Sequence, residues 1–309
     1  MEFKKQKTIF DETASVFGSA ILSFSGVDGF DVYNCSIPFE KDGKTYLFGR
    51  VERRTEWANS HVALFVKTAE DVYAKVPDMM IYPLEDPFVQ FIDGEIILGG
   101  THVRKTCGKI DTYYAYFYRG RDIRHLTYFT TGPEYMKDIR LIKLPNGRIG
   151  VFSRPRSEEI KQKYRSESVV GFMTIASLDE LEAKPIAEAK IVPGLFDEDE
   201  WGGCNQCYLL EDGRIGVLGH KGYPVLTDAG LRLQVYTNIS FVFDPATHIA
   251  SDIKIVGTRK FYPAAEPKIP ELSDCVFTSG IVNRPDGKVD LYSGVSDTSQ
   301  GRIVIDNPF

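Results

Sequence analysis

The sequence predicts an all-β chain folded as a five-bladed β-propeller, a single domain over residues 1–309, and two observations carry that expectation. First, five Asp/Asn-Gly dipeptides each lie between two apolar runs: Asp42-Gly43, Asp93-Gly94, Asn146-Gly147, Asp212-Gly213 and Asp286-Gly287. These dipeptides supply the positive φ angles of a two-residue hairpin turn, the strongest short-range hairpin signal. Second, their spacings of 51, 53, 66 and 74 residues spread one self-similar hairpin over nearly the whole chain. A repeat of that length suits propeller blades, leaving room in each for two further strands and a loop.

Each blade can be read in turn. In blade one, CSIPFE (35–40) leads into the turn and TYLFGR (45–50) leaves it. Blade two has DPFVQFI (86–92) and EIILGG (95–100), and blade three IRLIKL (139–144) and RIGVFSR (148–154). Blade four has NQCYLL (205–210) and RIGVLGH (214–220), and blade five FTSGIV (277–282) and KVDLYSG (288–294). The ring must close, so the N-terminal stretch GSAILSFSG (18–26) is expected to complete the blade that begins near Asp274. Other folds fit worse. A parallel β/α barrel needs eight strands alternating with amphipathic helices, whereas the one clear helical stretch, ASLDELEAKPIAEAK (176–190), is interrupted by Pro185. An immunoglobulin-like sandwich would show about seven short strands in ~100 residues rather than five similar units.

Composition narrows the functional class. With 43 % hydrophobic and 26 % charged residues the chain is not a disordered one. The lysine-bearing start, MEFKKQKTIFDETASVF, lacks an apolar stretch of signal-peptide length, and nothing later approaches a membrane span. Five cysteines, an odd and scattered set, fit a reducing compartment, so a cytoplasmic location is expected, with no membrane partner. A net charge of −6 argues against nucleic acid as a partner, because backbone phosphates call for an excess of Lys and Arg. Homo-oligomerisation stays open. The Cys204-Asn-Gln-Cys207 spacing lacks the second Cys or His pair of a structural zinc site and lies on a strand, so buried, inert thiols are expected.

In a propeller the entry ends of the inner strands converge on the central axis, and polar residues recur there in every repeat. Blade one offers Asn34, Arg50 and Glu52; blade two, Glu85 and Asp86; blade three, Lys137, Asp138, Arg140 and Arg154. Blade four offers Trp201, Asn205 and His220; blade five, Asp274, Tyr292 and Asp297. Each has an ordinary explanation alone, as a surface pair, a turn residue or a core histidine. Their common phase is what brings them together. Arg50, Lys137, Arg140, Arg154 and His220 would make an anion site, and arginine suits phosphate through its bidentate fork. No P-loop, Rossmann fingerprint or His pair for a metal is present, which leaves phosphate itself as reactant and no cofactor besides. Phosphate is already anionic, so sugar transfer to it needs one general acid, whereas an inverting hydrolase needs a second carboxylate.

These segments resemble the β-mannoside phosphorylases of glycoside hydrolase family 130. The likeness is greatest to a branch long labelled a domain of unknown function and linked to the mannosyltransferase-phosphorylases of glycosyltransferase family 108. LFGRVERRTEWANSHVALF (47–65) is similar to that family's Arg-x-Glu segment, and LEDPFVQF (84–91) to its Glu-Asp-Pro-Arg motif. KDIRLIKLPNGRIGVFSRPR (137–156), WGGCNQ with LGHKG (201–222), and VFTSGIV with LYSGVSDT (276–298) match its remaining motifs in order. The resemblance implies inverting, reversible phosphorolysis of a β-mannoside, β-1,2-linked in the closer branch, giving α-mannose 1-phosphate. It implies Asp86 as proton donor, acting directly or through a sugar hydroxyl. It carries phosphate to Lys137, Arg154 and His220, and the cleaved mannose to Asn34, Arg50 and Asp297. Arg140 is added to the phosphate set from its strand position, and Glu52, Asp138, Asn205 and Tyr292 to the sugar set from theirs. One departure stands out: Phe88 replaces the motif's arginine and is expected to give the pocket an apolar wall. A mannose-containing oligosaccharide and phosphate are thus the expected partners. The alternatives are a GDP-mannose-dependent mannosyltransferase, a hydrolase, and a sugar-binding ring without turnover.

Overall fold

The computed structural model describes residues 2–309, and its strands form five sheets around a central channel, a five-bladed β-propeller. Blade two runs outward as Glu85–Ile92, Glu95–Thr106, Lys109–Gly120 and Thr127–Thr131. Blade three runs as Arg140–Lys143, Ile149–Ser153, Gly171–Ile175 and Lys190–Ile191, and blade four as Trp201–Leu209, Ile215–Leu226, Arg232–Asp244 and Ile249–Gly257. In blade one the innermost strand is broken into Asp31–Tyr33 and Phe39–Lys41, both paired with Lys44–Glu52, before His61–Ala69 and Val72–Lys75.

Ring closure follows expectation with one refinement. Blade five comprises Val276–Asn283, Lys288–Val295 and Ser299–Asp306, and its outermost strand is Gly18–Ile21 from the N-terminal region. The next strand, Ser23–Ser25, crosses over and pairs in parallel with Val72–Lys75 of blade one. One stretch therefore joins the last blade to the first.

All five dipeptide turns join the two inner strands of their blades, but they are of two kinds. At Asp42-Gly43 and Asp93-Gly94 both residues have positive φ (49° and 72°, 51° and 80°), the two-residue turn the sequence predicts. The other three have only the glycine there, at 79°, 85° and 80°. In these the amides of Gly147, Gly213 and Gly287 return to the carbonyls of Leu144, Leu210 and Arg284, making a longer loop with a glycine bulge. Pro145 and Pro285 explain the choice at two of them, since proline fixes φ near −65° at the first corner of a type I turn. A sixth dipeptide, Asp28-Gly29, lies in the loop before the first inner strand.

The core consists of five apolar clusters, one at each blade–blade interface. Blades two and three, for example, meet through Ile97 and Phe117 on one side and Ile139 and Val151 on the other. The predicted helical stretch 176–190 is a 3-10 turn, Leu178–Glu180, and a short helix, Ala183–Ala187. Pro185 is its third residue, where no intrahelical N–H partner exists to be lost. Two helices outside that stretch also form, Phe3–Thr13 and Glu158–Tyr164. Among the described residues no helix is long and apolar enough to cross a membrane. Cys204 and Cys207 are buried in their strand, and burial raises both thiols, Cys207 to about 12, so they are inert at neutral pH.

Candidate active site

Every blade has an irregular position at the same height of its innermost strand, a break in blade one, the approach to the strand in blade three and a bulge in the others, and the residue there is small and polar. Asn34, Asp86 and Asp138 adopt left-handed backbone (φ 45°, 47° and 57°), a conformation that Asn and Asp tolerate best among non-glycine residues. Asn205 and Ser279 are the extra residues of β-bulges in blades four and five. Each of the five lies seven or eight residues before the turn Asp or Asn of its blade. In blade two Glu85 opposes Thr101 and Phe88 opposes Gly99, so Asp86 and Pro87 bulge against Gly100. A Cβ at Gly100 would press into the Glu85 carbonyl, so only glycine lets the bulge pass. Bulges of this kind re-aim side chains.

On the second strand the position seven residues after the turn glycine is Arg50, Thr101, Arg154, His220 and Gly294 in successive blades. The first four line a central cavity of about 490 Å³. Blade five has glycine because a Cβ there would overlap the side chain of Asn34.

The cavity has an acidic half built from blades one, two and five. Asn34 Nδ2 donates to Asp86 Oδ1 (2.9 Å) and to Asp297 Oδ1 (3.2 Å), bridging two buried carboxylates. Arg50 gives NH1 to Asp86 Oδ1 (2.9 Å) and NH2 to Glu85 Oε1 (3.0 Å). Asp86 Oδ2 is left without a hydrogen-bond partner among the described residues. Burial raises the pKa of Asp297, with Asp86 adding to it and Arg50 opposing. Glu85 is likewise raised by burial against the pull of Arg50.

The opposite half, from blades three and four, is cationic. Half-buried Lys137 makes no hydrogen bond or ion pair among the described residues. Arg154 is fixed by NH1 to Asp138 Oδ2 (2.5 Å) and by Nε to the Gly202 carbonyl (2.7 Å) and Ser168 Oγ (3.1 Å). The His220 ring lies between Tyr236 and Phe277, centroids 5.6 and 4.8 Å away, and Nδ1 donates to Asn205 Oδ1 at 2.7 Å. Burial, reinforced by Arg154, lowers the His220 pKa well below its ordinary value. Its Nε2 is buried without a partner.

Of the residues singled out in the sequence, Asn34, Arg50, Glu85, Asp86, Lys137, Arg154, Trp201, His220 and Asp297 line this cavity. Arg140, Glu52, Asp138, Asn205 and Tyr292 are not among its lining residues. Asp138 and Asn205 instead hold Arg154 and His220 from behind. Asp138 is a permanent anion: burial opposes its charge, and Arg154, Arg140 and Lys137 outweigh burial and hold it well below the usual carboxylate range. Glu52 takes a 2.5 Å bond from the Tyr33 hydroxyl and pairs with Arg50 and Lys268. Arg140 bonds the Asn205 and Ile139 carbonyls (2.6 and 3.1 Å) and covers the Phe88 ring at 4.6 Å. Tyr292 is core, packed in the cluster between blades five and one. The expected apolar wall is corrected as well. Phe88 lies outside the cavity lining, and its ring fills the space left by the absent side chain of Gly99. Trp57, Tyr113, Arg156 and Arg232 do line the cavity and were not singled out. They come from loops and outer strands, where no repeat marks them; only Arg156, two residues after Arg154, carried a local hint.

The family model for a protein of unknown function, DUF1861, matches residues 8–309. The chain belongs to the DUF1861 family. It is 50 % identical to MPT-4, a mannose phosphorylase from Leishmania mexicana whose structure was solved with phosphate ion, over 99 % of this chain and 93 % of that one, TM-score 0.94. It is 47 % identical to MPT-1, a GDP-Man-dependent mannosyltransferase from the same organism, over 100 % and 96 %, TM-score 0.93. A structure from the GH130 family of mannoside phosphorylases shares the fold at 12 % identity over 96 % of each chain, TM-score 0.63. No match to a curated protein was found.

Proposed function

We propose that this protein is a mannoside phosphorylase that transfers mannose reversibly between a β-mannoside and inorganic phosphate, with inversion to α-mannose 1-phosphate. The observation that carries the reading is the division of one cavity into a carboxyl half containing Asp86 and a cationic half containing an unpaired lysine. Phosphate binds against Lys137 and Arg154, by charge-assisted hydrogen bonds. The mannose rests against Asn34, Arg50 and Asp297. As a phosphate oxygen attacks the anomeric carbon, the bond to the leaving oxygen breaks and Asp86 supplies the proton from Oδ2. Its other oxygen stays fixed by Arg50 and Asn34. In synthesis the same carboxylate takes the acceptor's proton back. No cofactor besides phosphate enters this scheme, and a β-1,2 linkage is the finer expectation.

Hydrolysis fits less well. An inverting hydrolase holds its two carboxyl groups ~6.5–9.5 Å apart around a water, whereas a single Asn34 nitrogen bridges Asp86 and Asp297 at 2.9 and 3.2 Å. A second reading, transfer from GDP-mannose, is favoured by Arg156 and Arg232. These line the same cavity without a carboxylate partner and could meet a second phosphate. Incubation with α-mannose 1-phosphate and mannose-containing acceptors decides between them. Phosphate release is expected; turnover of GDP-mannose alone would overturn phosphorolysis in favour of transfer.

A further inference from the structure

The cationic half holds one group that is not a cation. His220 is fully buried, and its Nδ1–H is committed to Asn205 Oδ1 at 2.7 Å. With the Asn205 amide oxygen facing the ring, Nδ1 keeps the proton and Nε2 is a bare lone pair, buried and without a hydrogen-bond partner. A lone pair beside an anion site repels an oxyanion unless that anion brings a hydrogen to the contact. Inorganic phosphate at neutral pH keeps at least one proton, as does arsenate; sulfate keeps none. We propose that His220 reads the proton of the bound anion, accepting the hydroxyl of hydrogen phosphate at Nε2 and thereby excluding sulfate. Lys137 and Arg154 then serve the remaining oxygens.

The groups packed around the ring keep it in this state. Burial comes first, Arg154, Lys137 and Arg140 disfavour a further positive charge, and Asp138 pulls the other way. Tyr236 and Phe277 flank the ring faces without offering it a hydrogen bond. A buried donor or acceptor left unpaired loses about 1–3 kcal/mol, roughly 5- to 150-fold in affinity, so discrimination of that order is expected. The proposal rests on the phosphorylase reading, because it presumes that phosphate occupies this half of the cavity.

Calorimetric titration of the intact protein with phosphate, arsenate and sulfate at about pH 7 and constant ionic strength tests it. Phosphate and arsenate should bind alike, and sulfate at least about tenfold more weakly. His220→Gln offers an amide donor in place of the lone pair, and the phosphate-to-sulfate ratio should collapse towards one. Asn205→Asp should do the same without touching the ring, because a carboxylate on Nδ1 stabilises the imidazolium and turns Nε2 into a donor. Sulfate binding as tightly as phosphate in the wild type would overturn the proposal while leaving the phosphorylase reading intact. A ratio unchanged in both variants would overturn it equally. Failure of all three anions to bind would remove the phosphate reading, and this inference with it.

Discussion

Asp86 sits in left-handed backbone, so the choice of substitution decides what a mutation reports. Asparagine tolerates that conformation and keeps the bonds to Arg50 and Asn34, while losing the transferable proton. Asp86→Asn should therefore fold normally and lose about 10²–10⁴ in turnover in both directions. An activated mannosyl fluoride, whose leaving group needs little protonation, should restore most of the rate. Absence of that rescue would assign Asp86 to sugar orientation and move attention to Asp297 or Glu85, the carboxyl groups that share its half of the cavity. Lys137 and Arg154 separate binding from architecture. Lys137→Ala breaks no hydrogen bond or ion pair among the described residues, so phosphate KM should rise roughly 10- to 150-fold with little change in melting temperature. Arg154→Ala leaves the Asp138 carboxylate buried with its closest ion pair broken and should destabilise the fold by about 3–5 kcal/mol as well. Equal melting points for the two variants would contradict that division. His220 gives a pH signature. Its folded pKa lies below its unfolded value, so its contribution to stability is present above about pH 6.5 and is lost as pH falls below that. Glu85 and Asp297, both raised, contribute with the opposite sign: the fold gains stability as pH falls through their raised values towards the ordinary carboxylate range, and this contribution is common to wild type and variant. The wild-type minus His220→Gln difference in melting temperature should therefore shrink as pH drops from 7 towards 5; a flat difference would mean the ring is not held neutral.

At the scale of elements, the turns and inner strands were legible and their irregularities only partly so. The five dipeptides mark each hairpin because positive φ needs Gly, Asn or Asp, and Pro145 and Pro285 account for two of the three bulged turns, whereas the third, at Asp212-Gly213, carries no such mark. The irregular positions Asn34, Asp86, Asp138, Asn205 and Ser279 follow the same repeat, and so do Arg50, Thr101, Arg154 and His220 on the second strands, so that nine of the residues singled out in the sequence line one cavity. Periodicity says which residues share a height, however, and not whether a side chain faces the axis or the layer behind it. That is why the repeat places Arg140, Asp138 and Asn205 on the wall, whereas in the structure they are the supports of Arg154 and His220. Helix Phe3–Thr13 was missed because it buries little besides Phe3, leaving hardly any apolar face to detect. Gly294 tests the reading of the inner ring. An alanine there would overlap Asn34, the residue bridging Asp86 and Asp297, from a strand that otherwise stays intact. Gly294→Ala should lower turnover by more than tenfold, in the range expected when catalytic groups are displaced by about an ångström, at near-native circular dichroism. Near wild-type turnover would show that Asn34 can move without consequence.

At the scale of the molecule, a ring of blades has a particular weakness, because every interface but one is spanned by continuous chain and the last must be closed by a returning strand. Here Gly18–Ile21 pairs with Ser299–Asp306, Leu22 enters the apolar cluster between blades one and five, and Ser23–Ser25 continues onto blade one. Arg302 reinforces the seam, reaching Asp71 of blade one (2.7 and 2.6 Å) and Asp290 of its own blade (2.8 Å). Each blade buries its faces only against its neighbours, so loss of the seam should expose two apolar faces and let unfolding start there. Deleting residues 2–22 removes the closing strand and Leu22 together. Leu22→Ala alone leaves the strand pairing and costs about 2–5 kcal/mol, the usual range for a buried leucine. The deletion should be the more damaging by a clear margin and should also separate one transition into two, with amide exchange fastest in blades five and one. Arg302→Ala, tested in the same assay, should speed exchange at that seam before it affects blades two and three. If exchange instead rises evenly around the ring in both variants, the N-terminal strand is an ordinary edge and closure is carried by the blade interfaces alone.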